Sequence, residues 1–380
     1  ASDPFAPQDN VDENGRYRPR RYRLYFTPDL VYGAAGYDML YGVQSVTQMM
    51  FSDMLGNHRI WAATNLLVDL RNSDYLIAYS YLPRRTDWTV AVYHVARLLP
   101  DYALRTLYRY RHYGLNLSAS YPLNKFERFD FGLAYMGVNQ TDIGNLARPP
   151  ITRTLFHPSL TYTRDVSVPG LLAPIGGHRL AVQLSGSPGN LLYGRQIRFV
   201  TLLADMRTYT SFGRGLYSFA FRLAGGASFG PNPQLFYSAG VENWINRRFD
   251  SFPIEDLTDF VFATPVLPLR ATEINTLKGP YFGLFNAEFR FPLVAALLPG
   301  PLPILPLYNL QGTAFLDAGT VWGSPSNRRL NLFRRDEHGR QVLDDLRVAG
   351  GLGLRTILLG FPFRFDFAWP FDGRRFLHRR

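Results

Sequence analysis

Apolar and polar side chains alternate one by one over long stretches of this chain, and few folds can accommodate that pattern. Residues 361, 363, 365, 367 and 369 are all aromatic, whereas Arg364 and Asp366 lie between them. The segments 281–291 and 307–322 show the same repeat of two. Because successive side chains of a β-strand point to opposite faces, this repeat gives each strand an aromatic face and a charged face. The sequence therefore predicts an all-β fold.

The length of these segments favours a membrane barrel over a soluble β-sandwich. Sandwich strands usually have about 5–6 residues. Most segments here run for about 9–16 residues, enough for the roughly 9–11 residues of a tilted membrane-crossing strand. Charged side chains cannot face lipid, and a continuous aromatic face is unsuited to water. We therefore predict a transmembrane up-and-down antiparallel β-barrel.

The predicted barrel has about 16 strands, an even number, as in bacterial single-chain barrels. The predicted strands are 21–33, 39–53, 58–70, 74–83, 86–98, 102–121, 126–140, 151–166, 177–188, 195–212, 216–229, 280–292, 306–322, 345–358 and 361–371, with an incomplete last strand from 374. A helical membrane protein is excluded, because the uncharged segment 291–308 contains five prolines that would break a helix.

The domain organisation follows from where the alternation of apolar and polar residues begins. Residues 1–20 are polar and rich in proline, so we interpret them as a linker or tail and residues 21–380 as the barrel. One connection, the long loop 231–279, is far longer than a hairpin, and long insertions of this kind are usually functional. Twenty residues are too few for a further folded domain before the barrel.

The end of the sequence is short for a complete last strand. Only the seven residues 374–380 follow the turn at 372–373. Seven extended residues span at most ~23–25 Å, and a strand that crosses the membrane needs ~9–11 residues. We therefore expect the native polypeptide to continue past Arg380. The alternative is a barrel of fifteen strands followed by a basic tail in water.

The positive charge does not indicate nucleic-acid binding. The net charge is +11, and of the 41 cationic residues only Lys125 and Lys278 are lysines. The arginines are spread along the strands, with basic runs only at the two ends, so no nucleic acid is expected as a partner. Arginine can grip phosphate groups bidentately, which suits lipid headgroups.

The sequence contains no convincing catalytic or metal-binding set. The chain has no cysteine, and its seven histidines show no pair at metal-ligand spacing. The string Gly-Ala-Ser-Phe-Gly at 226–230 has the form of a hydrolase nucleophile elbow. An elbow needs a strand–turn–helix context, and here a predicted strand ends in a loop. We therefore expect a protein that is not an enzyme, with no cofactor and no metal.

Five stretches in the last third of the chain carry a family resemblance. They are Leu269-Arg270-Ala271-Thr272-Glu273, the strand 281–293, the segment 314–322 with Phe-Leu-Asp-Ala-Gly, and the segments 348–355 and 363–370. Together they resemble the C-terminal barrel of the bacterial surface antigen superfamily, which includes the outer-membrane assembly factor and the two-partner-secretion transporters. Outside residues 260–371 the resemblance rests only on the regular succession of predicted strands. The segment 51–58 also resembles barrels of this superfamily that follow a propeller-type domain.

The resemblance implies that the sixth extracellular loop folds back into the lumen. In that family an arginine in a Val-Arg-Gly-aromatic motif contacts an aspartate in a Phe-x-Asp-x-Gly motif, and Arg270 and Asp317 occupy these positions. Ala271 stands where the family has glycine. The alternation independently places Asp317 and Glu288 on the lumenal face. We therefore predict a lumenal loop lock formed by Arg270, Glu273, Glu288 and Asp317; the alternative is an arginine in water on an outer loop.

The side chains with the opposite parity are predicted to face lipid. They are Phe285, Phe289, Leu316, Phe363, Phe365 and Phe367.

The family implies an integral protein of the bacterial outer membrane that inserts or translocates other proteins, often with periplasmic POTRA modules before the barrel. Residues 1–20 are too few for one such module, so we expect a barrel without its own POTRA modules. The alternative is a structural or pore-forming barrel subunit of a larger outer-membrane assembly. A lipid hydrolase is a third reading, but the sequence lacks its Ser/His/carboxylate set. The expected partners are outer-membrane lipids, including lipopolysaccharide, and other outer-membrane or periplasmic proteins.

Overall fold

The structure is a computed structural model that describes residues 16–17, 21–38, 42–65, 74–101, 106–145, 147–189, 197–241, 264–294, 310–324, 329–335, 339, 341–358 and 361–371. It contains twenty strands in these residues. In chain order they are β1 (Phe26–Asp38), β2 (Gly42–Asp53), β3 (His58–Asn65), β4 (Asp74–Tyr81), β5 (Asp87–Asp101), β6 (Thr106–Pro122), β7 (Glu127–Asp142), β8 (Ile151–Asp165), β9 (Gly177–Ser187), β10 (Phe199–Phe212), β11 (Tyr217–Phe229), β12 (Phe236–Ser238), β13 (Thr264–Val266), β14 (Lys278–Gly279), β15 (Tyr281–Val294), β16 (Leu310–Trp322), β17 (Phe333–Arg335), β18 (Gln341–Leu343), β19 (Leu346–Leu358) and β20 (Phe361–Phe371).

Fifteen of the described strands form one sheet with the simplest possible order. β1 to β11 follow one another, and β15, β16, β19 and β20 continue the sheet. Each strand pairs antiparallel with the next, as β15 does with β16. The predicted all-β, up-and-down transmembrane barrel is confirmed. No helix in the described part of the chain has the length and apolarity needed to cross a membrane.

The predicted strand positions hold, with one shift at the beginning. The first strand begins at Phe26 and not at residue 21, because its partner β2 ends at Asp53, which pairs with Phe26. The preceding segment is held by a side chain instead: the Tyr22 hydroxyl donates to the Asp53 carboxylate, which raises the pKa of Tyr22 to about 12. The predicted last strand from 374, and all of the predicted tail 1–20 except residues 16–17, lie outside the described residues.

The barrel wall has an apolar outer face and a more polar inner face. In β11 the side chains of Phe219, Phe221 and Leu223 are exposed, whereas those of Ala220 and Ala224 are buried. The six side chains predicted to face lipid lie on the outer face. Five of them are exposed and Phe289 is half-buried: Phe285, Leu316, Phe363, Phe365, Phe367 and Phe289. Their contact with lipid stays a prediction.

The described parts of the long loop, 231–241 and 264–279, pack against the inner wall. They form a small sheet in which β12 lies between β13 and β14. Four apolar side chains of the loop and three of the wall form one buried cluster: Phe236, Val266, Leu269 and Leu277 with Ala224, Leu284 and Val321. Burial of this apolar surface holds the loop inside the barrel.

Candidate functional site

The site is the contact between the long loop and the strands β15, β16, β19 and β20. Its first element is the loop turn that presents Arg270. Leu269 is fully buried, and its backbone N–H donates to the Gly240 carbonyl oxygen at 2.7 Å. The next residue is Arg270, of which only 2% is exposed. Ala271 then adopts a φ of 62°, a left-handed conformation that is unfavourable for any residue with a Cβ atom. The turn thus directs Arg270 towards the wall.

Asp317 of β16 receives three hydrogen bonds from Arg270. The guanidinium Nε lies 2.5 Å from Oδ2, Nη2 lies 2.7 Å from Oδ1, and the backbone nitrogen lies 3.2 Å from Oδ2. Asp317 is fully buried. Paired, parallel N–H···O bonds between arginine and a carboxylate are strong and directional. Asn286 of β15 completes the arrangement, because its Nδ2 donates to Asp317 Oδ1 at 2.8 Å and to the Pro268 carbonyl oxygen at 2.9 Å.

Glu288 of β15 lies among three arginines. Arg270 Nη1 donates to its Oε1 at 3.2 Å. Arg355 of β19 donates from Nη2 to both carboxylate oxygens, at 2.8 and 2.9 Å. Arg290 donates from Nε and Nη2 to Oε2, at 3.2 and 3.1 Å. Glu288 therefore connects the loop arginine to two arginines of the wall, and removing its charge would leave like charges facing one another.

An aromatic ring lies beneath the Arg270 guanidinium. The Arg270 Cζ atom is 3.4 Å from the centroid of the Phe315 ring, a cation–π geometry. Gly351 of β19 makes room for that ring, since a Cβ atom at this position would lie 2.4 Å from Phe315 Cζ and 2.1 Å from the Phe367 carbonyl oxygen. The ring and the carboxylates together fix the plane of the guanidinium.

The structure brings together three of the four residues predicted for the lock. Arg270, Glu288 and Asp317 are in direct contact. Glu273 is the fourth: its carbonyl oxygen accepts hydrogen bonds from two other residues of the loop, from Ser238 Oγ at 3.3 Å and Thr276 Oγ1 at 2.9 Å.

Several residues of the site were not predicted from the sequence. Asp366 of β20 lies 3.6 Å from Arg270 Nη1, and Phe315, Asn286, Arg290 and Arg355 complete the surroundings. The alternation could have indicated Phe315, because it lies between Thr313 and Asp317 on the same face of the strand. The partners of Glu288 depend on how four strands are placed side by side, which the pattern within one strand does not determine.

The structure places the serine of the elbow-like string inside a strand. Ser228 lies in β11, fully buried, and its Oγ accepts hydrogen bonds from Thr201 Oγ1 and the Gln234 backbone N–H, both at 2.8 Å. Within the described residues, no group of three or more His, Asp or Glu side chains could hold a metal ion.

A barrel with one long loop held on its inner wall by a buried arginine defines the class of protein: a transmembrane β-barrel with an inserted loop. Residues 75–376 match the model of the Omp85 superfamily domain. The chain therefore belongs to the Omp85 superfamily, a family of outer-membrane β-barrels, and the resemblance identified from the sequence is confirmed.

Solved structures with a similar fold are only distantly related in sequence. A BamA from Haemophilus ducreyi, crystallised without POTRA domains 1–3, matches with a TM-score of 0.61 and 16% identity over 93% of this chain and 68% of that one. CdiB from Escherichia coli gives 0.49 and 12% over 93% and 60%, and CdiB from Acinetobacter baumannii gives 0.45 and 14% over 92% and 56%. No curated protein sequence matches significantly.

Proposed function

We propose that this barrel inserts other proteins into a bacterial outer membrane, or translocates them across it, and that it is not an enzyme. The observation that carries the proposal is the contact of Arg270 with Asp317 and Glu288 in a barrel of the Omp85 superfamily. In this proposal the chain lies in the outer membrane, surrounded by lipids including lipopolysaccharide. Other outer-membrane or periplasmic proteins are its partners.

The geometry supports a barrel whose lumen is regulated by a loop. The long loop buries an apolar underside against the wall, and one guanidinium joins it to two carboxylates. Such a contact breaks as a unit, because losing one partner leaves an uncompensated buried charge. A barrel of this kind can hold its lumen filled at rest and rearrange when a substrate protein engages it.

A pore-forming or structural subunit of a larger assembly is the second candidate. It is supported by a cavity of about 420 Å³ beside the loop, which is lined by arginines and would favour the passage of anions.

The two candidates give different results when the protein is depleted from the bacterium that encodes it. Insertion or translocation predicts that other outer-membrane or exported proteins decrease, and that Arg270→Ala restores them less well than the wild-type chain. The matched control is Arg128→Ala, because Arg128 is an exposed arginine paired with Asp130. Unchanged levels of those proteins, together with reduced permeability to small anions, would contradict the proposal and favour the pore.

A further inference from the structure

A second feature of the lumen lies beside the Arg270 contact. The cavity of about 420 Å³ is bounded by Leu267 and Pro268 of the long loop and by the inner faces of β10, β11, β15, β19 and β20. Five arginines line it: Arg207, Arg222, Arg290, Arg355 and Arg364. They come from five different strands, so the sheet itself brings them together.

The cavity carries more positive than negative charge. Arg207 and Arg222 share the carboxylate of Asp205, at 2.8 and 2.6 Å. Arg290 and Arg355 share Glu288, which Arg270 also contacts, and Arg364 pairs with Asp366 at 2.7 Å. Among these described residues, five lining guanidiniums are therefore matched by three carboxylates. Like charges held this close together favour the binding of an anion.

Two buried polar atoms of the residues that line the cavity have no hydrogen-bond partner among the described atoms. The Nε–H of Arg355 is buried and has no hydrogen-bond partner among the described atoms, and a buried donor of this kind is costly to leave unpaired. The Oδ1 atom of Asn286, another lining residue, is buried without a donor. A ligand that supplies several acceptor oxygens and one O–H group would satisfy both.

We propose that this cavity binds a phosphate-class anion, such as hydrogen phosphate or a partly protonated pyrophosphate. The planar guanidinium matches the geometry of phosphate oxygens, two negative charges balance the surplus of the lining, and a partly protonated phosphate carries the O–H group. The phosphate belongs to a soluble molecule and not to a lipid, because the cavity lies on the inner face of the wall beneath the long loop, away from the apolar outer face. This inference is independent of protein insertion or translocation.

The test is a calorimetric titration of the folded chain in detergent micelles with inorganic pyrophosphate. Arg207→Gln and Arg364→Gln are the informative variants, since each removes a lining charge but leaves the Arg270 and Glu288 contacts in place. Arg128→Gln is the matched control. Each site variant should bind pyrophosphate at least roughly tenfold more weakly than the wild type. The double variant should show no binding, and the control should bind as tightly as the wild type. Heat-modified migration in gels verifies that every variant is folded.

A parallel titration with a short-chain phosphatidic acid distinguishes the source of the phosphate. Pyrophosphate binding that the lipid does not displace supports the proposal, whereas tighter binding of the lipid through the same arginines overturns the assignment to a soluble anion. The proposal is also overturned if millimolar pyrophosphate does not bind to the wild type. The same holds if the control variant is weakened as much as the site variants.

Discussion

The Nε atom of Arg270 lies 2.5 Å from Oδ2 of Asp317, although 47 positions separate the two residues in the sequence. The arginine belongs to the loop and the aspartate to the wall, so this pair joins the long connection to the inside of the barrel, together with the buried apolar cluster. Both side chains are almost completely buried, and a buried pair is destabilised strongly when one partner is removed.

Replacing Arg270 should release the loop. Arg270→Ala leaves Asp317 without its cationic partner, and an uncompensated buried charge costs about 3–5 kcal/mol, whereas Glu288 keeps Arg290 and Arg355. We expect higher ion conductance in planar bilayers and faster cleavage of the loop by added protease. Arg270→Lys should give conductance and cleavage between those of the wild type and Arg270→Ala, because lysine keeps the charge but cannot form the bidentate contact. Equal conductance and equal cleavage in Arg270→Ala and in the exposed-site variant Arg128→Ala would contradict a role of Arg270 in holding the loop inside the lumen.

Ala271 is a site where a single substitution should stabilise the loop. Its φ of 62° costs a residue with a Cβ atom about 1–2 kcal/mol relative to glycine. Ala271→Gly should therefore slow protease cleavage of the loop and raise the midpoint of thermal unfolding. Faster cleavage in this variant would show that the left-handed conformation of Ala271 does not destabilise the loop.

Gly351 should tolerate no side chain. A Cβ atom there would lie 2.1 Å from a backbone carbonyl oxygen and 2.4 Å from the Phe315 ring, and such overpacking costs about 1–3 kcal/mol or more. Gly351→Ala should lower stability in urea titrations. Gly33→Ala is the control, because a Cβ atom at Gly33 has nothing within 4 Å. The same loss in both variants would point to a general effect of replacing glycine in a strand.

Phe365 tests which face of the wall contacts lipid. It is 53% exposed on the outer face of β20, and an arginine at the bilayer midplane costs about 2–4 kcal/mol. Phe365→Arg should impair folding into liposomes, as followed by gel migration. Met54→Arg introduces the same charge in the turn between β2 and β3, where Met54 is 83% exposed, and it should fold normally. If both variants fold equally well, the assignment of the outer face is wrong.

Much of the fold could be predicted from one periodicity, and the site only in part. The alternation in 361–371 and 281–291 is local, so it reports strand and face directly. The contact of Arg355 with Glu288 joins β19 to β15, across β16, and depends on strand register and on side-chain reach. Neither is encoded within a single strand. The start of β1 was misplaced for the same reason, since the end of its partner at Asp53 determines it.

A disulfide between the loop and the wall tests the central claim most directly. The chain has no native cysteine, and Leu269 Cδ1 lies 2.8 Å from the position of a Cβ atom at Gly319, close enough for a disulfide after a small adjustment. Leu269→Cys combined with Gly319→Cys should crosslink under mild oxidation in the barrel folded in liposomes, as seen by a reducible shift in gel migration. The pair Leu269→Cys and Gly33→Cys should not. A folded barrel in which the first pair crosslinks no more than the second would contradict the placement of the loop inside the lumen.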